Sequence, residues 1–490
     1  MKRPNVLLII TDQQRADTIP GECRVPAHTP HLHWLAERGS TFRNAMCASP
    51  LCTPARCSIL TGLPPHTTGV EANYRPGEPG YSVSPLTRLL ADYLKPHDYI
   101  CDYVGKWHLP TGSDRRGFSD FVRRLTAWDT DAEADDDAVR FGRQLGLELG
   151  DSYAKYLAPA GAVDPTGGRH TRLPLAFHPS TQMALEAASR LRQLAQGERP
   201  FLLTYSCIEP HPLGMTYHIA PAPFDRMYRP EDMCLPATCR DPNAPRIVRN
   251  RNFYGLKSTD GYSDGELREM IAGYYGAVSY VDHLFGILLE PLIATGRLDD
   301  TLIIFTSDHG EMLGDHRMLK KGPVMFEEMI RIPFLVKAPQ GETSTQIPEL
   351  VSHLDIVPTV LDYCDIATPP ELTGVSLRPL LEGSKKAVRN GLTIEYHSCV
   401  WGEPQMPLRA WRTSEWKYVE CGAGDHELYH LTEDPGETVN LAKVASAQEK
   451  LNELKKELYT DMMRTQDNWP QVAEPRNRIE MAAGAWDRLP

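Results

Sequence analysis

Five clusters along the chain carry side chains able to do chemistry: Asp12, Cys52 with Arg56, Lys106 with His108, Glu209 with His211, and Asp308 with His309. The densest is the run from Cys47 to Gly62. Within it Pro54 predicts a helix beginning near that residue, because proline is tolerated in a first turn. Cys52 then sits at the positive helix end, where an anion or a developing negative charge is favoured. Arg56, roughly one turn further on, reaches the same anion. The plainer alternative is a buried free cysteine beside a helix start. Asp12 and the pair Asp308 and His309 can converge on one cation. Aspartate oxygens suit hard cations, while an imidazole strengthens the case for manganese or another transition metal. Lys106 and His108 point in opposite directions if their segment is extended, whereas a tight turn aims both at one anion.

The elements that must position these groups are short apolar runs bounded by charged or turn residues: Asn5 to Ile10, Tyr99 to Val104, Phe201 to Ser206 and Thr301 to Thr306. Helical patterns over His31 to Arg38, Ser180 to Ala195 and Ile271 to Ile293 intervene, so buried parallel strands alternate with covering helices. Each strand candidate is followed at once by one of the polar clusters. Ligands of open α/β sheets gather outside the carboxyl ends of the strands. The expected fold is therefore α/β, a large mixed and mostly parallel sheet covered by helices. Around residues 155 to 180 and 210 to 265 periodicity fades into long surface excursions.

After about residue 385 the pattern changes to strand candidates at Leu392 to Tyr396, Leu408 to Thr413, Trp416 to Glu420 and Glu427 to Leu431, then an amphipathic helix, Ser446 to Met462. The expected organisation is a catalytic domain over 1–384, a smaller antiparallel α+β subdomain over 385–465, and an irregular tail over 466–490.

Composition narrows the class. At 41% hydrophobic and 24% charged, 490 residues exclude a largely disordered chain and allow a sizeable core. A net charge of -12 argues against a nucleic-acid partner. No run approaches ~20 apolar residues, so no membrane span is expected. The apolar stretch after Met1 to Pro4 ends at Thr11 and Asp12 without a small-residue cleavage site, and is read as a first strand of a cytoplasmic chain. Eleven cysteines, an odd count at unpatterned spacings, suggest neither a disulfide scaffold nor a thiolate zinc site.

The segment Cys52, Thr53, Pro54, Ala55, Arg56 matches the C-x-P-x-R signature of the type I sulfatases, within the alkaline phosphatase superfamily, and Cys57 to Gly62 resembles its usual extension. Ile10 to Asp12, Gly105 to His108, Pro210 to Pro212 and Thr306 to His316 occur in family order. Glu427 to Tyr429 and Asp434 to Glu437 resemble the family's closing segment, so the resemblance spans about residues 4 to 443.

The resemblance implies a sulfuric ester hydrolase in which maturation machinery converts Cys52 to formylglycine, whose hydrate is the nucleophile. It implies one divalent ion, calcium or manganese, on Asp12, Asp308, His309 and residue 52. The family commonly has two consecutive aspartates at the first position. Here Gln13 follows Asp12, keeping an oxygen donor and removing a charge, and stands as a candidate further ligand of the ion. The implied roles are Asp308 accepting the proton of the attacking hydroxyl, Arg56 holding the modified residue, and Lys106 with Lys321 binding sulfate oxygens. His211 protonates the leaving oxygen, with Lys321 a candidate assistant, and His108 deprotonates the remaining hydroxyl to regenerate the aldehyde. Lys321 is preferred over Lys320 because Lys-Gly resembles the family arrangement better. Glu311, Asp315 and His316 read as structural. Trp107, Tyr217, His218, Phe224 and Tyr228 could offer an aryl or sugar platform, although such aromatics are more often loop anchors; Pro221 to Tyr228 resembles a segment near the family's substrate entrance. The expected partner is a small sulfate ester, aryl or carbohydrate, and a homo-oligomer stays open. The competing readings are a phosphonate monoester or phosphodiester hydrolase of the same superfamily, which Gln13 and His309 also fit, and a catalytically inactive anion-binding protein.

Overall fold

The computed structural model describes residues 3–21, 25–73, 83–84, 87–110, 117–118, 120–122, 174–212, 218–240, 256–341, 344–398, 407–422, 424 and 426–469. Tyr217, most of the two expected excursions, and the tail beyond 469 lie outside them. The strands in chain order are β1 (Asn5–Asp12), β2 (Ser40–Met46), β3 (Ile100–Gly105), β4 (Asp120–Val122), β5 (Phe201–Pro210), β6 (Leu256–Ser258), β7 (Thr301–Ser307), β8 (Met318–Lys320), β9 (Phe334–Lys337), β10 (Thr345–Ser352), β11 (Gly391–Tyr396), β12 (Leu408–Thr413), β13 (Trp416–Cys421) and β14 (Glu427–His430).

Eight of them form one sheet in the order β10-β2-β9-β7-β1-β5-β3-β4. β1 pairs in parallel with both β5 and β7, and β3 in parallel with β5. β9 alone runs antiparallel to its neighbours β7 and β2. All eight residues of β1 are buried, as a central strand covered on both faces requires. Its side chains alternate between two cores: Val6, Leu8 and Ile10 enter one, Leu7 and Ile9 the other.

The second core is closed by α1 (Pro30–Arg38), through Leu32 and Leu35, and by two longer helices that belong later in the chain. The first core is closed partly by α2 (Cys52–Thr61), all ten of whose residues are buried. α3 (Pro179–Gln196) packs along α4 (Asp264–Ala294), itself started by a reciprocal cap between Ser263 and Glu266. By length and composition α4 could cross a membrane. Its Ala277, Val281, Leu284 and Leu288 are instead buried against the sheet.

β11 to β14 form the smaller antiparallel sheet. Ile394, Ala410 and Val419 on one face join the core shared with α2, while Trp411, Tyr418 and Leu428 on the other pack on α5 (Gln448–Thr465). His66, on the single turn Pro65–Thr68, ties the large sheet's side of the molecule to this unit. Its Nδ1 donates to Glu395 Oε1 at 2.7 Å and its Nε2 to the Thr465 carbonyl at 3.0 Å. Two acceptors require two ring protons. Burial opposes that charge, but the bond and charge of Glu395, the Thr465 carbonyl and Asp467 outweigh it and lift the pKa from 6.5 to about 9. A raised pKa stabilises the fold fully below 6.5 and ceases to do so as pH rises through 9, an effect of at most about 3 kcal/mol. His66→Gln is therefore expected to lower the melting temperature at pH 6.5 and to flatten the alkaline decline between pH 7 and 9. Parallel melting curves of wild type and variant against pH would refute the ionised clamp.

Candidate active site

The carboxyl ends of β1, β3, β5 and β7 meet the amino-terminal end of α2. That helix starts at Cys52, two residues before Pro54, because Leu51 adopts the extended N-cap conformation and the Thr53 N–H is satisfied by Asn73 Oδ1 at 3.1 Å. The cap comes from twenty residues downstream. Asp12, Cys52, Asp308 and His309 each bring a ligand atom within 4.8 Å of the others, and all four are buried.

Hydrogen bonds fix this group from every side. Asp308 Oδ1 accepts from the Gln13 N–H at 3.0 Å and the His309 N–H at 2.9 Å, and its Oδ2 accepts from Arg56 Nε at 2.8 Å. Three of about four lone-pair positions are thus taken, leaving one for a cation or for the proton of the attacking hydroxyl. Arg56 continues to Asp12 Oδ2 at 3.3 Å, Ser206 Oγ at 2.6 Å and the Lys106 carbonyl at 3.2 Å. Its guanidinium braces the two aspartates. Burial would raise the Asp12 pKa, but Lys106, Lys321, His211 and Arg56 hold the carboxyl well below its usual range.

Cys52 Sγ lies 2.7 Å from Lys321 Nζ and 3.2 Å from His309 Nε2. Burial and the nearby Asp12 push the thiol up, yet Lys106, Lys321 and His309 prevail and hold it well below the ordinary value. Position 52 is therefore one where negative charge is welcome. Of the two lysines, Lys321 reaches the site. Lys320 is lowered to about 8, by burial first and by Lys321 and Lys257, against the attraction of Glu311.

Lys106 and His108 both face the site, and Gly105 shows how. At φ +111° it occupies a backbone region that disfavours side chains, and a Cβ there would collide with the Ser206 carbonyl. The chain turns sharply after β3, with His108 itself at φ +53°. Lys106 Nζ bonds Asp12 Oδ2, and His108 Nδ1 is buried without a partner. Burial and Lys106 keep the His108 imidazole neutral. His211 Nδ1 donates to the Pro212 carbonyl at 2.8 Å; burial and Lys321 lower its pKa well below the ordinary value.

The residues fit a divalent cation. His309 Nδ1 donates to the Gly310 carbonyl at 2.8 Å, which assigns the ring lone pair of the neutral form to Nε2, on the Cys52 side. The Gln13 amide oxygen is buried without a partner, an acceptor awaiting a ligand.

Other expected residues go elsewhere. Glu209, grouped with His211 at the end of β5, bonds Ser180 Oγ at 2.7 Å and is pushed up to about 7 by burial. Asp315 pairs with Arg15, and His316 stacks on Phe326, so both are structural as expected. The aromatic platform does not form from the described members. Trp107 packs edge-on against Tyr103 and Phe118, His218 against Tyr274, and Tyr228 bonds Ser279. Phe224 lies against Tyr280. Supporting residues that local sequence patterns do not reveal are Asn73, Ser206 and His353, which links the Ala48 N–H to the Ser307 carbonyl and so ties β7 to the loop before α2.

A sheet edge that converges buried carboxylates, imidazoles and lysines on an activated residue at a helix start defines a hydrolase of tetrahedral oxyanion esters. More narrowly, the chain belongs to the sulfatase family: the Sulfatase family model matches residues 4–366, and the model described as N-sulphoglucosamine sulphohydrolase, C-terminal, matches residues 314–465. It is 32% identical over 492 residues to the multifunctional alkaline phosphatase superfamily protein PehA of Trinickia caryophylli, covering 90% of this chain and 92% of that one. It is 28% identical over 476 residues to an arylsulfatase of Clostridium perfringens, with 94% of each chain covered. The fold superposes on the phosphonate monoester hydrolase of Agrobacterium radiobacter with a TM-score of 0.78 and 26% identity, over 94% of this chain and 96% of that chain.

Proposed function

We propose that the protein hydrolyses a small organic sulfate ester, aryl or carbohydrate, using formylglycine at position 52 and one divalent cation, calcium or manganese. The setting of Cys52 carries this reading: the first residue of α2, buried, and surrounded by Lys106, Lys321 and His309, which together favour negative charge on its side chain. The cation, bound by Asp12, Asp308 and His309, would supply Lewis-acid stabilisation of the charge that develops on sulfate. Lys106 and Lys321 meet sulfate oxygens as fixed charges that need no solvent reorganisation. His211 protonates the ester oxygen. Because its Nδ1 proton is committed to Pro212, the donated proton sits on Nε2 of an imidazolium, a form that an arriving anion favours and Lys321 opposes. His108, neutral and with Nδ1 unpartnered, is the base that returns the modified residue to its aldehyde.

Gln13 and His309 also fit a second reading, hydrolysis of a phosphonate monoester or phosphodiester, which the similarity to the phosphonate monoester hydrolase of Agrobacterium radiobacter supports. A panel with one aryl leaving group joined to sulfate, phosphate monoester, phosphate diester and phosphonate separates them. The highest kcat/KM is expected for sulfate. A preference of about tenfold or more for phosphonate or diester, equivalent to ~1.4 kcal/mol of transition-state stabilisation, would transfer the assignment to the second reading.

A further inference from the structure

Gln13 is held with unusual completeness except at one atom. Its backbone is left-handed at φ +66°, its N–H donates to Asp308 Oδ1 at 3.0 Å, and its carbonyl accepts from the Tyr274 hydroxyl at 3.0 Å. Its side-chain Nε2 donates to Glu311 Oε2, while its Oε1 is buried and bonded to nothing. Glu311 is equally fixed. Its other oxygen accepts from the Leu313 N–H at 2.9 Å and from the Lys320 N–H, and its main-chain carbonyl accepts from Arg15 Nη1 at 2.8 Å.

We propose that Glu311 is a positioning residue that orients the Gln13 amide so that its carbonyl oxygen serves the cation site of Asp12, Asp308 and His309. The argument rests on the cation-dependent reading above and adds the group that makes a glutamine serviceable there. An ionised carboxylate only accepts, so it can face the NH2 end of an amide and not the oxygen end. Turning the amide by half a rotation would set two acceptors against each other with no proton between them. Glu311 thus selects the rotamer, and the oxygen is left as the free end of a residue whose own N–H bonds Asp308. A carboxylate at position 13 would instead meet Glu311 as a like charge, so glutamine at 13 and glutamate at 311 form a matched pair.

The test is a swap of amide and carboxylate, read by calorimetric titration of chelator-treated full-length protein with manganese or calcium, by melting in chelator, and by turnover. In Glu311→Gln, the new amide oxygen is retained by the Leu313 and Lys320 N–H groups, so its NH2 faces Gln13 and turns the Gln13 oxygen away from the cation. A loss of about 10–100-fold in ion affinity is expected, with the melting temperature in chelator near that of wild type. Gln13→Glu alone is also expected to bind more weakly. The double variant, in which the residue-311 amide donates to the residue-13 carboxylate, is expected to bind at least as tightly as wild type. Affinity of Glu311→Gln within twofold of wild type, or a double variant no tighter than the two single losses combined, overturns the proposal. If Glu311→Gln fails to fold, Gln13→Met decides: it removes the amide and leaves the other Glu311 bonds, so unchanged affinity overturns the proposal. A wild type that binds neither ion overturns the cation reading and this proposal with it, whereas tight binding without sulfate-ester turnover overturns only the proposed substrate.

Discussion

Cys52→Ala is expected to lose turnover of the preferred ester by on the order of 10⁴-fold or more, because alanine lacks the thiol that maturation must replace with oxygen, so no aldehyde forms at position 52. The fold should tolerate it. Cys52 is a small buried side chain in a helix whose neighbours Cys57, Ile59 and Leu60 supply the packing, and alanine suits a helix. Lys106, Lys321 and His309 lose a negative neighbour, but Asp12 and Asp308 remain to balance them. Matched kinetics and peptide mass spectrometry check the expectation together. Active wild type should show residue 52 with its thiol sulfur replaced by aldehyde or hydrate oxygen. Either an alanine variant retaining about a hundredth of the rate, or a fully active wild type with an intact thiol at 52, would remove Cys52 from the nucleophile's position.

The residues that meet at this site were legible in the sequence because of where they follow strands. Parallel strands buried on both faces must be apolar throughout, so the polar residue that ends such a run marks the sheet's carboxyl edge. β1, β3, β5 and β7 were visible for that reason, and with them Asp12, Lys106, His211 and Asp308. β2 was not: Ser40–Met46 mixes polar and apolar residues without alternation. β9 has only four residues and β10 exposes three of its eight without alternation, so neither carries a usable period. The partners that complete the geometry were invisible for a different reason. Asn73 caps α2 from twenty residues away, Ser206 meets Arg56 across 150 residues, and no local pattern encodes either. The described aromatics pack as anchors, the commoner role of such residues, since ring type says nothing of direction. Trp107 follows Lys106 immediately, yet the turn at Gly105 sends its indole into the core beside Tyr103.

Arg56 tests whether the site's electrostatics also hold up the fold. The sequence places this guanidinium one turn beyond Cys52, facing the anion; in the structure it bonds Asp308 and Asp12 directly. In Arg56→Ala two buried carboxylates lose their shared cation, and breaking such a pairing costs about 3–5 kcal/mol, a large part of the usual stability of a folded chain. Arg56→Lys keeps the charge but not the fork that spans two carboxylates, so an intermediate loss is expected. Two further signs distinguish this account from a simple packing defect. A divalent ion should raise the melting temperature more in Arg56→Ala than in wild type, since it replaces the missing positive charge. The acid limb should also change. In wild type the depressed Asp12 pKa gives stability that is present above 3.8 and is lost as pH falls through the folded value. With Arg56 removed, the Asp12 carboxyl binds a proton more readily in the folded state, so the deficit of the variant relative to wild type should shrink as pH falls below 3.8. Melting curves over that range, in chelator and in excess ion, check both. A deficit that depends on neither pH nor ion would mean that Arg56 contributes by filling space, and that the two aspartates are balanced by Lys106 and Lys321 alone.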